Sequence, residues 1–226
     1  MDETTWLAEV HPQEILRMRA FADEDRKRRL FECACCRRVW HLLPDERSRR
    51  AVVAAEEFLD GLIDTAAREM AANMACDVEE EERQRELGGE RYWPLEGLPL
   101  PYSAAAYNVA IPMGWWGGAP AFEPPSSIIR EASSDAATEV IAQSILLRDI
   151  FGNPFRPVVL EPAWLTEAVV GIARGIYEDR AFERMPILAD ALQDAGCENA
   201  DILTHCREPG VHVRGCWVVD LVLGKE

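Results

Sequence analysis

Seven cysteines and four histidines are the residues of this 226-residue chain best suited to metal or thiol chemistry, and nine of them fall in two short stretches. FECACCRRVWH, residues 31–41, holds Cys33, Cys35, Cys36 and His41. GCENADILTHCREPGVHVRGC, residues 196–216, holds Cys197, His205, Cys206, His212 and Cys216, where a segment of that length would carry roughly one Cys or His at the chain's average density. Zinc takes four sulfur or nitrogen ligands in a tetrahedron, and turn-rich segments such as the second stretch can present them. Neither CxxC nor HxxxH occurs within that segment, and adjacent residues such as His205 and Cys206 usually diverge. The candidate ligands are therefore Cys197, Cys206, His212 and Cys216, completed by Cys33 or Cys36. The competing reading is a set of reduced thiols used as small apolar filler, since free cysteine is among the most buried residue types.

Helices must position these groups. Over residues 25–43 a step of about 100° per residue gathers Phe31, Cys33, Cys35, Cys36, Val39, Trp40, Leu42 and Leu43 on one arc, with Arg26, Lys27, Arg37, Arg38 and His41 opposite. Cys33 and Cys36 lie about 60° apart on that helix and can share a ligand, whereas His41 cannot join them. Pro44 stops the helix, and Asp45 caps a second whose apolar side is Ala51, Val52, Ala55, Phe58, Leu59 and Leu62, making a hairpin. Further helices are expected from Asp135 to Gly152, from 162 to 177, from Pro186 to about Gly196, over ADILTHC, and over CWVVDLVLGKE, which fits helix better than strand in this context.

Between 77 and 130 the periodicity fails. A charged run, EEEERQRELGGER, extends a helix to about Leu87, and a Pro-, Gly- and Trp-rich excursion follows. The fold expected is all-α: one helical domain over 1–226, with a frame at 12–76 and 131–226 and an excursion at 77–130. The excursion carries Tyr92, Trp93, Trp115, Trp116 and Phe122, an aromatic set suited to a protein or peptide partner.

Two polar residues fall where the helical phase predicts core. Glu32 sits between Val39 and Leu43 on its arc, and Arg148 sits beside Ile141 and Ile145. A buried bridge from Glu32 to Arg148 or Arg156 would satisfy both charges and fix helix packing. No GxGxxG, GxxxxGK, GxSxG or HExxH is present, so no reaction is defined by motif.

The formal charge of −16 opposes binding to a phosphate backbone, although residues 14–50 carry eleven basic side chains against seven acidic ones. No apolar run reaches eighteen residues and MDETTWLAEV is not signal-like, so a cytoplasmic, membrane-free protein with reduced cysteines is expected, binding no nucleic acid.

The segments RLFECACCRRVWHLLPDERSRRAV, LLRDIFGNPFRPV and DRAFERMPILADALQDAGCENADILTHCREPGVHVRGCWVVDLVLGKE resemble a paralogue-rich family of bacterial proteins with no assigned activity. The resemblance covers about residues 25–60 and 146–226, and it supplies no catalytic residues. It implies a small cytoplasmic frame with a variable middle. Two functional expectations result. One is a non-enzymatic helical module that needs no cofactor and binds a protein or peptide through Tyr92, Trp93, Trp115, Trp116 and Phe122; the other is a zinc protein built on the C-terminal Cys/His cluster.

Overall fold

The computed structural model describes residues 2–9, 11–16, 25–86, 102–110 and 124–225. Among the described residues there are twelve α-helices and no strand, so the all-α class is established. They are α1 (Glu3–Ala8), α2 (Pro12–Leu16), α3 (Asp25–Arg38), α4 (Glu46–Leu59), α5 (Thr65–Glu86), α6 (Tyr102–Ala110), α7 (Pro125–Ala132), α8 (Ala136–Phe151), α9 (Glu167–Asp179), α10 (Met185–Asp194), α11 (Ala200–Arg207) and α12 (Trp217–Leu223). No helix among the described residues is long and apolar enough to cross a membrane. The chain divides into two compact units, a terminal unit of residues 1–27 with 144–226 and a central unit of residues 28–143.

In the central unit α4, α5 and α6 pack against one another, and α7 packs on α6. Ala51, Ala72, Ala75 and Ala110 form a small-residue core among α4, α5 and α6, backed by Tyr107. Arg37 forks onto Glu56 at 3.2 and 2.7 Å and lies 4.0 Å over the Trp40 ring, which ties α3 to α4 as the expected hairpin requires. α3 ends earlier than its periodicity implies. Residues 40–42 tighten into a 3-10 turn, because Pro44 keeps Leu43 out of the α region, and Leu42 turns outward. The charged run ends α5 at Glu86, close to the expected end at Leu87, whereas α6 and α7 are largely buried helices within the segment read as excursion.

In the terminal unit α9, α10, α11 and α12 enclose one apolar core, which includes Cys197, Cys206 and Cys216. Caps set the boundaries. Thr166 accepts from the Val169 amide, so the helix expected to start at Pro162 splits into a 3-10 turn at Pro162–Trp164 and α9. Gly152, Gly196 and Gly224 close α8, α10 and α12 with positive φ. All seven cysteines are free thiols, six of them buried and Cys76 partly so.

α8 corrects one expectation directly. Ile141 and Ile145 are half exposed, while Glu139, Gln143 and Asp149 point inward. The inward polar groups all have partners: Arg38 for Glu139, the Ser126 carbonyl for Gln143, and two histidines for Asp149. Arg148 therefore sits on the flank of the helix, where Nη2 donates to the carbonyls of Trp6 and Glu9 and closes the end of α1. The bridge expected from Glu32 to Arg148 or Arg156 gives way to other pairings. Glu32 accepts from the Ser126 amide at 2.7 Å and from its hydroxyl at 3.0 Å, and Arg156 pairs with Glu3 and Asp201. The reason is local. Pro124 precedes α7 and has no side chain that can cap it, so the carboxylate of Glu32 takes that place from another helix.

Candidate metal centre

Four side chains from separate structural contexts meet in the terminal unit. Asp149 lies in the last turn of α8, just before the chain reverses at Gly152. His205 lies in the last turn of α11, a helix started by the Asn199 side chain on the Ile202 amide. The chain then leaves the helix at Glu208 and passes through Pro209 and Gly210 to His212. Cys216 occupies the N-cap position of α12, held by its amide on the Val213 carbonyl at 2.9 Å. Proline, two glycines and short helices make this the turn-rich presentation that a compact ligand set needs.

The ligand atoms of Asp149, His205, His212 and Cys216 all lie within 4.8 Å of one another. His205 Nε2 is 3.3 Å from Asp149 Oδ1 and 3.2 Å from Cys216 Sγ. His212 Nδ1 is 2.6 Å from the same Asp149 oxygen and 3.8 Å from the same sulfur. Tetrahedral zinc with ordinary bond lengths sets neighbouring N, O and S ligands about 3.3–3.6 Å apart. Of the four His–Asp and His–Cys separations three lie close to that range, and the set as a whole extends to 4.8 Å. The fourth is a hydrogen bond that a cation would replace, because both groups would turn their lone pairs to the ion.

A Cys–His–Asp relay is the obvious rival for these residue types, and the atoms distinguish the two. A relay uses opposite nitrogens of one imidazole, one toward the nucleophile and one toward the carboxylate. Here each histidine turns a single nitrogen to both the sulfur and the carboxylate: Nε2 for His205 and Nδ1 for His212. The four groups turn their ligand atoms toward one another rather than along a relay.

The surroundings fit that role. Asp149 and Cys216 are almost fully buried, and the His205 and His212 side chains are only 19% and 8% exposed. The Val213 amide donates to Asp149 Oδ2 at 2.9 Å, which fixes the carboxylate and leaves Oδ1 facing the cluster. Burial alone would raise the Asp149 carboxyl, but hydrogen bonds from His205 and His212 and their charge outweigh it and bring it below the usual carboxylate value. Burial pushes the Cys216 thiol well up, with Asp149 adding to the rise, while the amides of Val218 and Val219 act against it. The thiol is thus held neutral, and the buried carboxylate is compensated by the two histidines that face it.

Of the candidate ligands read from the sequence, His212 and Cys216 are in this group. Cys197 and Cys206 pack in the apolar core of the same unit, and burial raises the Cys206 thiol to about 12. Cys33 and Cys36 belong to the central unit, buried in α3 with thiols that burial raises well above their ordinary value. Asp149 and His205 complete the set, and sequence reasoning selects neither. The adjacency of Cys206 counts against His205, and the divergence is real, with Cys206 turning to the core while His205 turns to the cluster. Asp149 carries a signal of its own. A carboxylate in the last turn of a helix faces the negative end of the dipole and needs a compensating partner. The aromatic set Tyr92, Trp93, Trp115, Trp116 and Phe122 lies outside the described residues.

Comparison of the chain with protein-family models, curated proteins and solved structures finds no match in any of the three.

Proposed function

We propose that the terminal unit is a zinc-binding module in which Asp149, His205, His212 and Cys216 hold one Zn²⁺ as a structural ion. The observation that carries this reading is the convergence of one oxygen, two nitrogens and one sulfur within 4.8 Å in a buried site. The donor set is mixed, which suits a borderline-soft ion such as zinc better than magnesium or calcium, whose ligands are oxygens. Charge balance favours a dication: one carboxylate and one thiolate with two neutral imidazoles offset +2. A monovalent or trivalent ion would leave a net charge in a poorly solvated place.

Four protein ligands close the tetrahedron, so the ion's role is to hold structure rather than to activate water. It would tie the end of α8 to α11, to the turn at His212 and to the start of α12. The test is metal analysis of purified protein kept from chelators, with cobalt substitution. About one equivalent of zinc per chain is expected, together with intense four-coordinate Co²⁺ bands and a thiolate charge-transfer band that Cys216→Ser removes. Less than about a tenth of an equivalent, after reconstitution with excess zinc, would reject the reading.

A further inference from the structure

We infer that Trp217 is a positioning residue for the metal ligand His205, and that Gly152 is the residue that gives the indole its place. The inference rests on the zinc reading and adds to it the device that orients the ligand.

A histidine that binds metal must hold its ring plane toward the ion, and most do so by donating the other ring N–H to a carboxylate or carbonyl. Among the described residues, the Nδ1 of His205 has no such partner. Its ring instead packs against two others. His212 meets it edge-on, with centroids 4.8 Å apart and planes at 75°. Trp217 meets it at 5.1 Å with planes at 51°. The χ2 torsion of histidine is broad, so without such packing the ring would sample orientations that turn Nε2 away from Asp149 and Cys216.

The indole's own position depends on Gly152. A Cβ on that residue would stand 3.1 Å from Trp217 Cγ and 3.3 Å from Cδ2, tight enough that the indole would have to shift by a few tenths of an ångström. Its φ of +65° also disfavours any residue with a side chain. One glycine therefore ends the helix that carries Asp149 and admits the ring that steadies His205. The sequence mirrors this arrangement. Asp149 is followed three residues later by the glycine, and Cys216 is followed at once by the tryptophan. Each of the two segments supplies one ligand and one half of the wedge.

The experiment compares zinc affinity, by competition with a chromogenic chelator, and the Co²⁺ ligand-field spectrum for the full-length wild type, Trp217→Ala, Trp217→Phe and Gly152→Ala. Trp217→Ala is expected to weaken zinc about 10–100-fold and to shift the ligand-field bands, as loss of an orienting partner does. Trp217→Phe keeps an aromatic face and should remain within about threefold of wild type. Gly152→Ala should follow Trp217→Ala in both readouts. If Trp217→Ala does not stay folded, Trp217→Leu keeps apolar bulk without the ring plane and takes its place. An unchanged affinity and spectrum in Trp217→Ala or Trp217→Leu, with wild type binding one equivalent, would overturn the inference and leave the zinc reading standing. No zinc on wild type would overturn both.

Discussion

Replacing Glu32 by glutamine should make the central unit more stable at pH 8, although it removes a charged group from a helix cap. Glu32 as a residue keeps some exposure, but its carboxyl group is enclosed by protein, and enclosure of the charged end governs its titration. Burial raises it from 4.5 to about 7, against the hydrogen bonds from Ser126 and the charge of Arg28. The folded state thus holds the proton more tightly than the unfolded chain. Below pH 4.5 both states are protonated and nothing is lost. Above it the unfolded chain releases its proton first, so stability falls as pH rises and the loss is complete above about pH 7. The full span corresponds to about 3 kcal/mol at about 1.4 kcal/mol per tenfold in proton affinity. Between about pH 5.5 and pH 8 that leaves about 2 kcal/mol, and water at the exposed part of the residue reduces it to about 1–2 kcal/mol. The glutamine amide stays neutral, accepts from the Ser126 amide and donates to its hydroxyl, so the variant escapes the loss. Urea unfolding of wild type and E32Q by circular dichroism at both pH values isolates the effect, since every other titrating group cancels in the difference. The argument fails if that difference is the same at both pH values, or if it moves against E32Q as pH rises.

Two further outcomes follow from burial elsewhere. Arg37→Ala removes the bidentate guanidinium from the Glu56 carboxylate, 2% exposed, so a loss of up to about 3–5 kcal/mol is expected in thermal or denaturant unfolding, and a loss below about 1 kcal/mol would show that the fork contributes little to holding α3 on α4. Thiol titration of the native protein should register Cys76 alone, and slowly, because burial raises its thiol too; the other six should react only on unfolding, and early reaction of the α3 cysteines would contradict their burial.

Helices such as α4, α8, α10 and α12 are legible because their start and stop signals are local, whereas α6 and α7 lie in the segment read as an excursion. Asp45 and Asp135 cap the first turns of α4 and α8, and glycines at 152, 196 and 224 adopt the positive φ that ends a helix. Such signals need nothing beyond a few neighbouring residues. The helical face of α3 was readable for the same reason, and its three cysteines do pack as apolar filler. The inward face of α8 was not. Periodicity assumes that apolar side chains mark the core, and α8 turns Glu139, Gln143 and Asp149 inward while leaving Ile141 and Ile145 out. Each inward group has a partner outside the helix, although the Oε1 of Gln143 has none, and the partners of Glu139 and Asp149 lie far beyond any window over which periodicity is read.

The same limit explains why only part of the Asp149, His205, His212 and Cys216 cluster was read from the sequence. The enrichment of Cys and His over residues 197–216 marks the segment that supplies three members of the cluster, but choosing among five candidate side chains needs their directions, and completing the set needs the residue that faces them. The hydrogen bond of His212 to Asp149 spans 63 positions. Cys33 and Cys36 are attractive completions because they are sulfur ligands. With two histidines and one thiolate in place, a second thiolate and an aspartate balance the ion equally, so charge alone does not choose between them. What separates them is cost. Cys33 and Cys36 are comfortable as neutral thiols in an apolar seam, whereas Asp149, buried at the negative end of a helix, is expensive without a cation or its equivalent. The useful question about a sequence is therefore which buried group could not stay where it is alone, and in this chain that group is the aspartate of RDIFGN.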